Sequence, residues 1–166
     1  KIPHLTHEPK VHFIGHLQRN KVRQILPYVD LIQSADSIRL LREINRQAEN
    51  LDKIQDILIQ VNIAREEQKY GFLEEELEEA FELVEQLDHI QVKGMMMMAP
   101  FVEDPEEVRH FFKEMALLFD LYRKKHYNNV DMTILSMGMS SDYRVALEEG
   151  STMIRIGSAI YKEEEQ

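Results

Sequence analysis

The chain has no cysteine among its 166 residues, which excludes a disulfide framework and any thiolate metal site and suits a reducing, cytoplasmic setting. It has no apolar run approaching a membrane span and no signal-like N-terminus, so neither a membrane helix nor a secretory leader is expected. Positive charge is short: 20 Lys and Arg against 30 Asp and Glu leave a formal net charge of −10, which works against nucleic-acid binding. The local exception is Arg19, Lys21 and Arg23. Most of the acid falls in solvated helix faces such as Glu74 to Glu79 and in the tail Glu163 to Glu165. No Gly-x-Gly-x-x-Gly follows a strand, and neither a P-loop nor a His-Glu-x-x-His is present, so those nucleotide and zinc sites lack their fingerprints. The seven histidines are scattered; His12 and His16 fall on a strand and its turn rather than on one helix face, which argues against a metal pair.

What is present is alternation. The length and an apolar fraction of 43% suit one domain over residues 1–166 with a real core. Residues 1–10, with Pro3 and Pro9, read as a connector. Short apolar runs then predict strands at Val11–Ile14, Asp30–Gln33, Asp56–Asn62, Ile90–Met98, Met132–Leu135 and Met153–Ile156. Between them lie helical patterns: one capped by Asn20 and stopped near Pro27, and one capped by Asp36 or Ser37 with the stripe Ile38, Leu41, Ile44 and Ala48. A third carries Leu73, Leu77, Phe81, Val84 and Leu87. A fourth starts at Asp104-Pro105 and buries Val108, Phe111, Met115, Leu118, Phe119 and Tyr122. The fifth runs Tyr143–Glu149, capped by Asp142 and stopped by Gly150. Six strands alternating with five helices, without a hairpin signal, predict right-handed crossovers and a parallel sheet.

In such sheets ligands sit at the carboxyl ends of the strands. The polar clusters Gly15-His16, Ser34, Asn62, Ser136 and Gly157-Ser158 all fall there. The two final turns, Ser136 to Asp142 and Arg155 to Ser158, offer backbone N–H groups, the hydroxyls of Ser136, Ser140 and Ser158, and Gly138 and Gly157 for close approach. They make a candidate phosphate cradle; the bland alternative is a pair of ordinary strand-to-helix turns. An arginine inside an apolar strand is costly unless paired, so Arg155 is either ion-paired in the core or aimed at a ligand. Met95 to Met98 read as core filler, two turned inward and two toward helices. Asn62 is a buried amide in need of partners, and His16 is a candidate pocket wall.

Four ordered motifs carry a resemblance. His12-Phe13-Ile14-Gly15-His16-Leu17-Gln18-Arg19-Asn20-Lys21, Gln60-Val61-Asn62, Leu135-Ser136-Met137-Gly138-Met139-Ser140 and Gly150 through Gly157 resemble the pyridoxal 5'-phosphate homeostasis protein family, over nearly the whole chain. The resemblance implies an α/β fold, a (β/α)8 TIM barrel of the alanine racemase N-terminal type. It implies pyridoxal 5'-phosphate (PLP) as cofactor, buffered and delivered to PLP-dependent apo-enzymes without an established reaction, by a protein that is a monomer when intact. It assigns the phosphate to Ser136, Gly157 and Ser158 and the pyridine nitrogen to Arg155, with His16 and Met95 as ring walls and no metal. Against the eight-strand rule the chain looks like strands three to eight, with roughly two β/α units not represented. The Schiff-base lysine belongs to that part, and Lys1, Lys10 and Lys21 do not match it. Two alternatives stand beside this reading: a racemase-like PLP enzyme, and a phosphate-binding barrel for another phosphorylated metabolite.

Overall fold

The computed structural model describes residues 9–161, so most of the expected connector, Lys1 and the tail Glu163 to Glu165 lie outside the described residues. Within them, strands β1 (His12–Phe13), β2 (Leu31–Ala35), β3 (Gln55–Gln60), β4 (Ile90–Met96), β5 (Val130–Met139) and β6 (Met153–Arg155) alternate with helices α1 (Val22–Ile25), α2 (Ile38–Glu49), α3 (Leu77–Val84), α4 (Arg109–Arg123) and α5 (Tyr143–Glu148), and α6 (Ser158–Tyr161) follows β6. The strands form one sheet in sequence order, every neighbour parallel. The sheet is rolled. In a flat sheet β2 and β6, four strand spacings apart, would be separated by about 19 Å. Instead Gln33 on β2 touches the Met153 sulfur on β6 at 3.3 Å. The described chain is therefore an open barrel of six strands, with helices outside.

Rolling gives the sheet two unlike faces. The outer face packs on the helices and holds most of the core, including Ile32, Ile57, Ile59, Phe81 and Phe112. The inner face carries the small cluster Leu31, Leu58 and Met96, with Met98, Ile134 and Met153 against it. The methionine run divides as alternation requires: Met95 and Met97 join the outer core, and Met96 and Met98 the inner cluster. Strict alternation fails just before that run, because Val92 and Met95, three apart, both face outward. The ladder to β5 shifts register between Val92 and Gly94, and a bulge there resets the phase. Gly94 makes the bulge possible. Its φ is +150°, and a Cβ built on it would stand 1.8 Å from the Ile134 carbonyl oxygen.

Several local expectations shift. The first helix is α1 flanked by 3₁₀ turns at Arg19–Lys21 and Leu26–Tyr28, so Asn20 sits inside a turn and caps nothing. Asp104 does accept from the Glu106 N–H at 3.0 Å, but the segment opens as a 3₁₀ turn over Pro105–Val108 before α4 begins. On α4 it is Phe112 that is fully buried, and Phe111 only partly. Tyr122 and Tyr127 both stack on Phe81 of α3. The fifth strand is the longest, ten residues, where the apolar run alone marks four, Met132–Leu135. No described helix is long and apolar enough to cross a membrane.

Candidate functional site

The length of β5 moves its end. Ser136 lies within the strand, fully buried, and faces the barrel interior rather than a turn. There it belongs to a hydrogen-bonded line that crosses the barrel. Arg155 Nη1 donates to Ser136 Oγ at 2.6 Å, and Nη2 donates to the Met97 carbonyl at 2.7 Å. Ser136 Oγ in turn donates to Gln33 Oε1 at 2.6 Å, and Gln33 Nε2 meets His12 Nδ1 at 3.1 Å. Arg155 is 7% exposed and, among the described residues, has no carboxylate within salt-bridge reach. Burial pushes its pKa down to about 10, against a weaker pull upward from Asp142. Of the two sequence alternatives for this arginine, an ion pair in the core is thus not what holds it. Neutral acceptors take its two terminal nitrogens, and its Nε is buried without a partner among the described residues.

The strand-end turn carries Ser140. Its Oγ accepts from the Gly157 N–H at 3.2 Å and from the Ala159 N–H at 3.4 Å, joining the end of β5 to the turn before α6. Asp142 stands at the N-cap of α5, yet its carboxylate reaches back to accept from the Met139 N–H at 2.6 Å, bracing the turn rather than capping the helix. Gly138 needs its φ of +95° here, since a Cβ would lie 2.7 Å from that of Ala146. A Cβ on Gly157 would meet nothing within 4 Å. A cavity of about 480 Å³ opens at this point, lined among others by His12, Gln33, Met139, Arg155 and Gly157. Ser158, exposed, begins α6 beside it.

The structure places Arg155, Gly157 and Ser158 at one strand end, and it is Ser140 rather than Ser136 that stands in the turn. His16 goes elsewhere: it stacks on Tyr70 with ring centroids 3.6 Å apart and bonds Asp36 at 3.0 Å. Together with Gln60, Lys69, Tyr70 and Met98 it lines a separate cleft of about 200 Å³. Met95 is buried in the outer core, because the bulge at Gly94 turns it toward the helices; Met96 is the inward neighbour. Asn62 finds its partners locally, its side chain exchanging bonds with the Glu66 backbone at 3.0 and 3.3 Å to close the loop. Gln33 and His12 line the same cavity as Arg155 and Gly157, and no motif marks them as site residues. Their only sequence signal is an amide and an imidazole on inward positions of neighbouring strands. No group of His, Asp and Glu among the described residues could hold a metal ion.

An open parallel barrel with helices outside and polar turns at the carboxyl ends of its last two strands defines the class as a (β/α) barrel, in which ligand sites sit at that end. Residues 3–165 match the family described as alanine racemase, N-terminal domain. The pyridoxal phosphate homeostasis protein of Aquifex aeolicus (strain VF5) is 43% identical over 152 residues, 92% of this chain and 66% of that protein. That of Helicobacter pylori (strain ATCC 700392 / 26695) is 35% identical over 166 residues, 98% of this chain and 72% of that one. Among solved structures, PipY of Synechococcus elongatus PCC7942 without PLP superposes with a TM-score of 0.86 at 30% identity, covering 93% of this chain and 72% of that one. The same protein with PLP bound gives 0.84 at 29%, covering 95% of this chain and 72% of that one. The chain belongs to the pyridoxal phosphate homeostasis protein family, within the alanine racemase N-terminal class. It spans about two thirds of the length of the curated relatives it matches first.

Proposed function

We propose that this chain supplies the phosphate and pyridine-nitrogen side of a PLP site, in a protein that buffers the cofactor and hands it to PLP-dependent apo-enzymes in the cytoplasm. The observation that carries the reading is one cavity lined both by Arg155, whose buried Nε has no partner among the described residues, and by Gly157, whose Cβ side is open. A buried unsatisfied donor costs roughly 1–3 kcal/mol, and an aromatic nitrogen acceptor would remove that cost. The PLP-bound PipY structure and the names of the relatives support the choice of ligand.

When bound, PLP supplies an aldehyde conjugated to an electron-withdrawing pyridine ring. Ser140, the Gly157 N–H and Ser158 form the phosphate end, with the Ser140 hydroxyl free to turn from its two backbone donors toward the phosphate. Arg155 holds the ring end. Because Arg155 keeps its own proton, a nitrogen accepting from it stays unprotonated, which weakens the electron sink and suits carriage over carbanion chemistry. Ser136 acts one step back, orienting Arg155. The covalent anchor is assigned to no lysine of this chain, and the intact protein is read as a monomer.

Equilibrium binding of PLP, pyridoxal and inorganic phosphate tests the reading. PLP should bind at least tenfold more tightly than pyridoxal, and inorganic phosphate should compete. Equal binding of PLP and pyridoxal would remove the phosphate cradle. Equal competition by an aliphatic phosphomonoester would favour a barrel for another phosphorylated metabolite. Steady racemisation of an L-amino acid by the PLP-loaded protein would replace carriage with catalysis.

A further inference from the structure

Gln33 is 2% exposed and both ends of its amide are engaged, on residues 21 and 103 positions away in sequence. The direction of these bonds follows from Arg155. A guanidinium can only donate, so Ser136 Oγ accepts from Nη1 and its own hydrogen must go elsewhere. The acceptor within reach is Gln33 at 2.6 Å, so the oxygen end of the amide faces Ser136. The nitrogen end then faces His12 Nδ1, which must be the unprotonated ring nitrogen, leaving the imidazole proton on Nε2. One cation on β6 thereby dictates the hydrogen positions on β5, β2 and β1.

We propose that Gln33 is a positioning residue of the cofactor site: it locks Ser136, and through Ser136 the guanidinium of Arg155, and it sets His12 as a neutral Nε2–H donor on the opposite wall of the same cavity. This rests on the cofactor reading above and deepens it. Without Gln33 the Ser136 hydroxyl is free to rotate and the Arg155 head loses its fixed acceptor. Among the described residues no hydrogen bond joins the line to Ser140 or the Gly157 N–H, so phosphate recognition should not depend on it.

The test combines ¹⁵N–¹H long-range correlation spectra of His12 with binding of PLP and of inorganic phosphate, in the wild type, Gln33→Leu and Gln33→Glu. The wild type should show the Nε2–H tautomer. Gln33→Leu should bind PLP about tenfold more weakly, the loss of roughly one good hydrogen bond, with phosphate affinity unchanged. Gln33→Glu, whose carboxylate accepts at both oxygens, should move a proton onto His12 Nδ1, a signature that a merely structural residue would not give. It carries the test should the leucine variant not fold. A wild-type proton on Nδ1 would mean that the amide points the other way, and would overturn the proposal. So would PLP affinity in Gln33→Leu equal to wild type. A wild type that binds phosphate but not PLP would overturn the cofactor reading, and this inference with it.

Discussion

Ser140 Oγ stands 3.2 Å from the Gly157 nitrogen and accepts its N–H, so one hydroxyl ties the turn after β5 to the turn after β6. Gly157 presents open space beside that contact, where the proposed reading puts the phosphate.

A Cβ at Gly157 enters that space and touches no protein atom within 4 Å. Gly157→Ala should therefore leave thermal stability close to wild type while weakening both PLP and inorganic phosphate by about tenfold or more, the loss of a charge-assisted contact. Ser136→Ala should do the reverse in kind. It strips the acceptor from a buried guanidinium and should lower unfolding free energy by about 1–3 kcal/mol in denaturant titration. Phosphate binding unaffected by Gly157→Ala would place the cradle elsewhere.

Gly94 and Gly150 both hold positive φ, but only Gly94 faces a wall. Gly150→Ala pays the left-handed backbone cost alone, about 1–2 kcal/mol. Gly94→Ala must also push β5 away from a Cβ that would lie 1.8 Å from the Ile134 oxygen. It should cost well over about 3 kcal/mol, or yield no folded protein. Circular dichroism melts of the two variants side by side check the ordering, and equal melting temperatures would refute the bulge as described.

Burial lowers the Arg155 pKa from the ordinary guanidinium value to about 10. Between those values the unfolded chain holds the proton more firmly than the folded one, so this group's contribution to stability rises with pH across that window. Ligand binding should run the opposite way: any affinity that depends on the cation falls as pH passes about 10. A PLP titration from pH 8 to about 11 should show that fall, with Arg155→Met giving weak and pH-insensitive binding over the same window. A wild-type profile parallel to that of the variant would remove Arg155 from the ring end.

Much of the fold was legible because it is written in local periodicity. Alternating apolar runs and 3.6-residue stripes name six strands and five intervening helices whatever their partners, and strict alternation forces the parallel order seen here. The Asp104 cap and the split of the methionine run follow from equally local rules. The misplacements share one cause. Where a strand stops and which face a residue takes depend on the neighbouring strand, as at the Gly94 bulge that sends Met95 outward and on β5, whose pairing continues past Ser136 to Met139. His16 sits at a strand end as expected, but Tyr70 and Asp36 draw it into a separate cleft.

By itself the sequence determined the order and type of elements, the strand-end location of the two polar turns, and the presence of an arginine too costly to bury without purpose. Those are properties of short segments, in which a residue's neighbours in space are its neighbours in the chain. Only the tertiary structure decided that Arg155 binds Ser136 and Met97, that Gln33 reaches across 103 residues to the same hydroxyl, and that Ser140 holds the turn. Those contacts exist because the sheet rolls, and rolling is a sum of twist, bulges and outer packing over every strand, which no single segment carries.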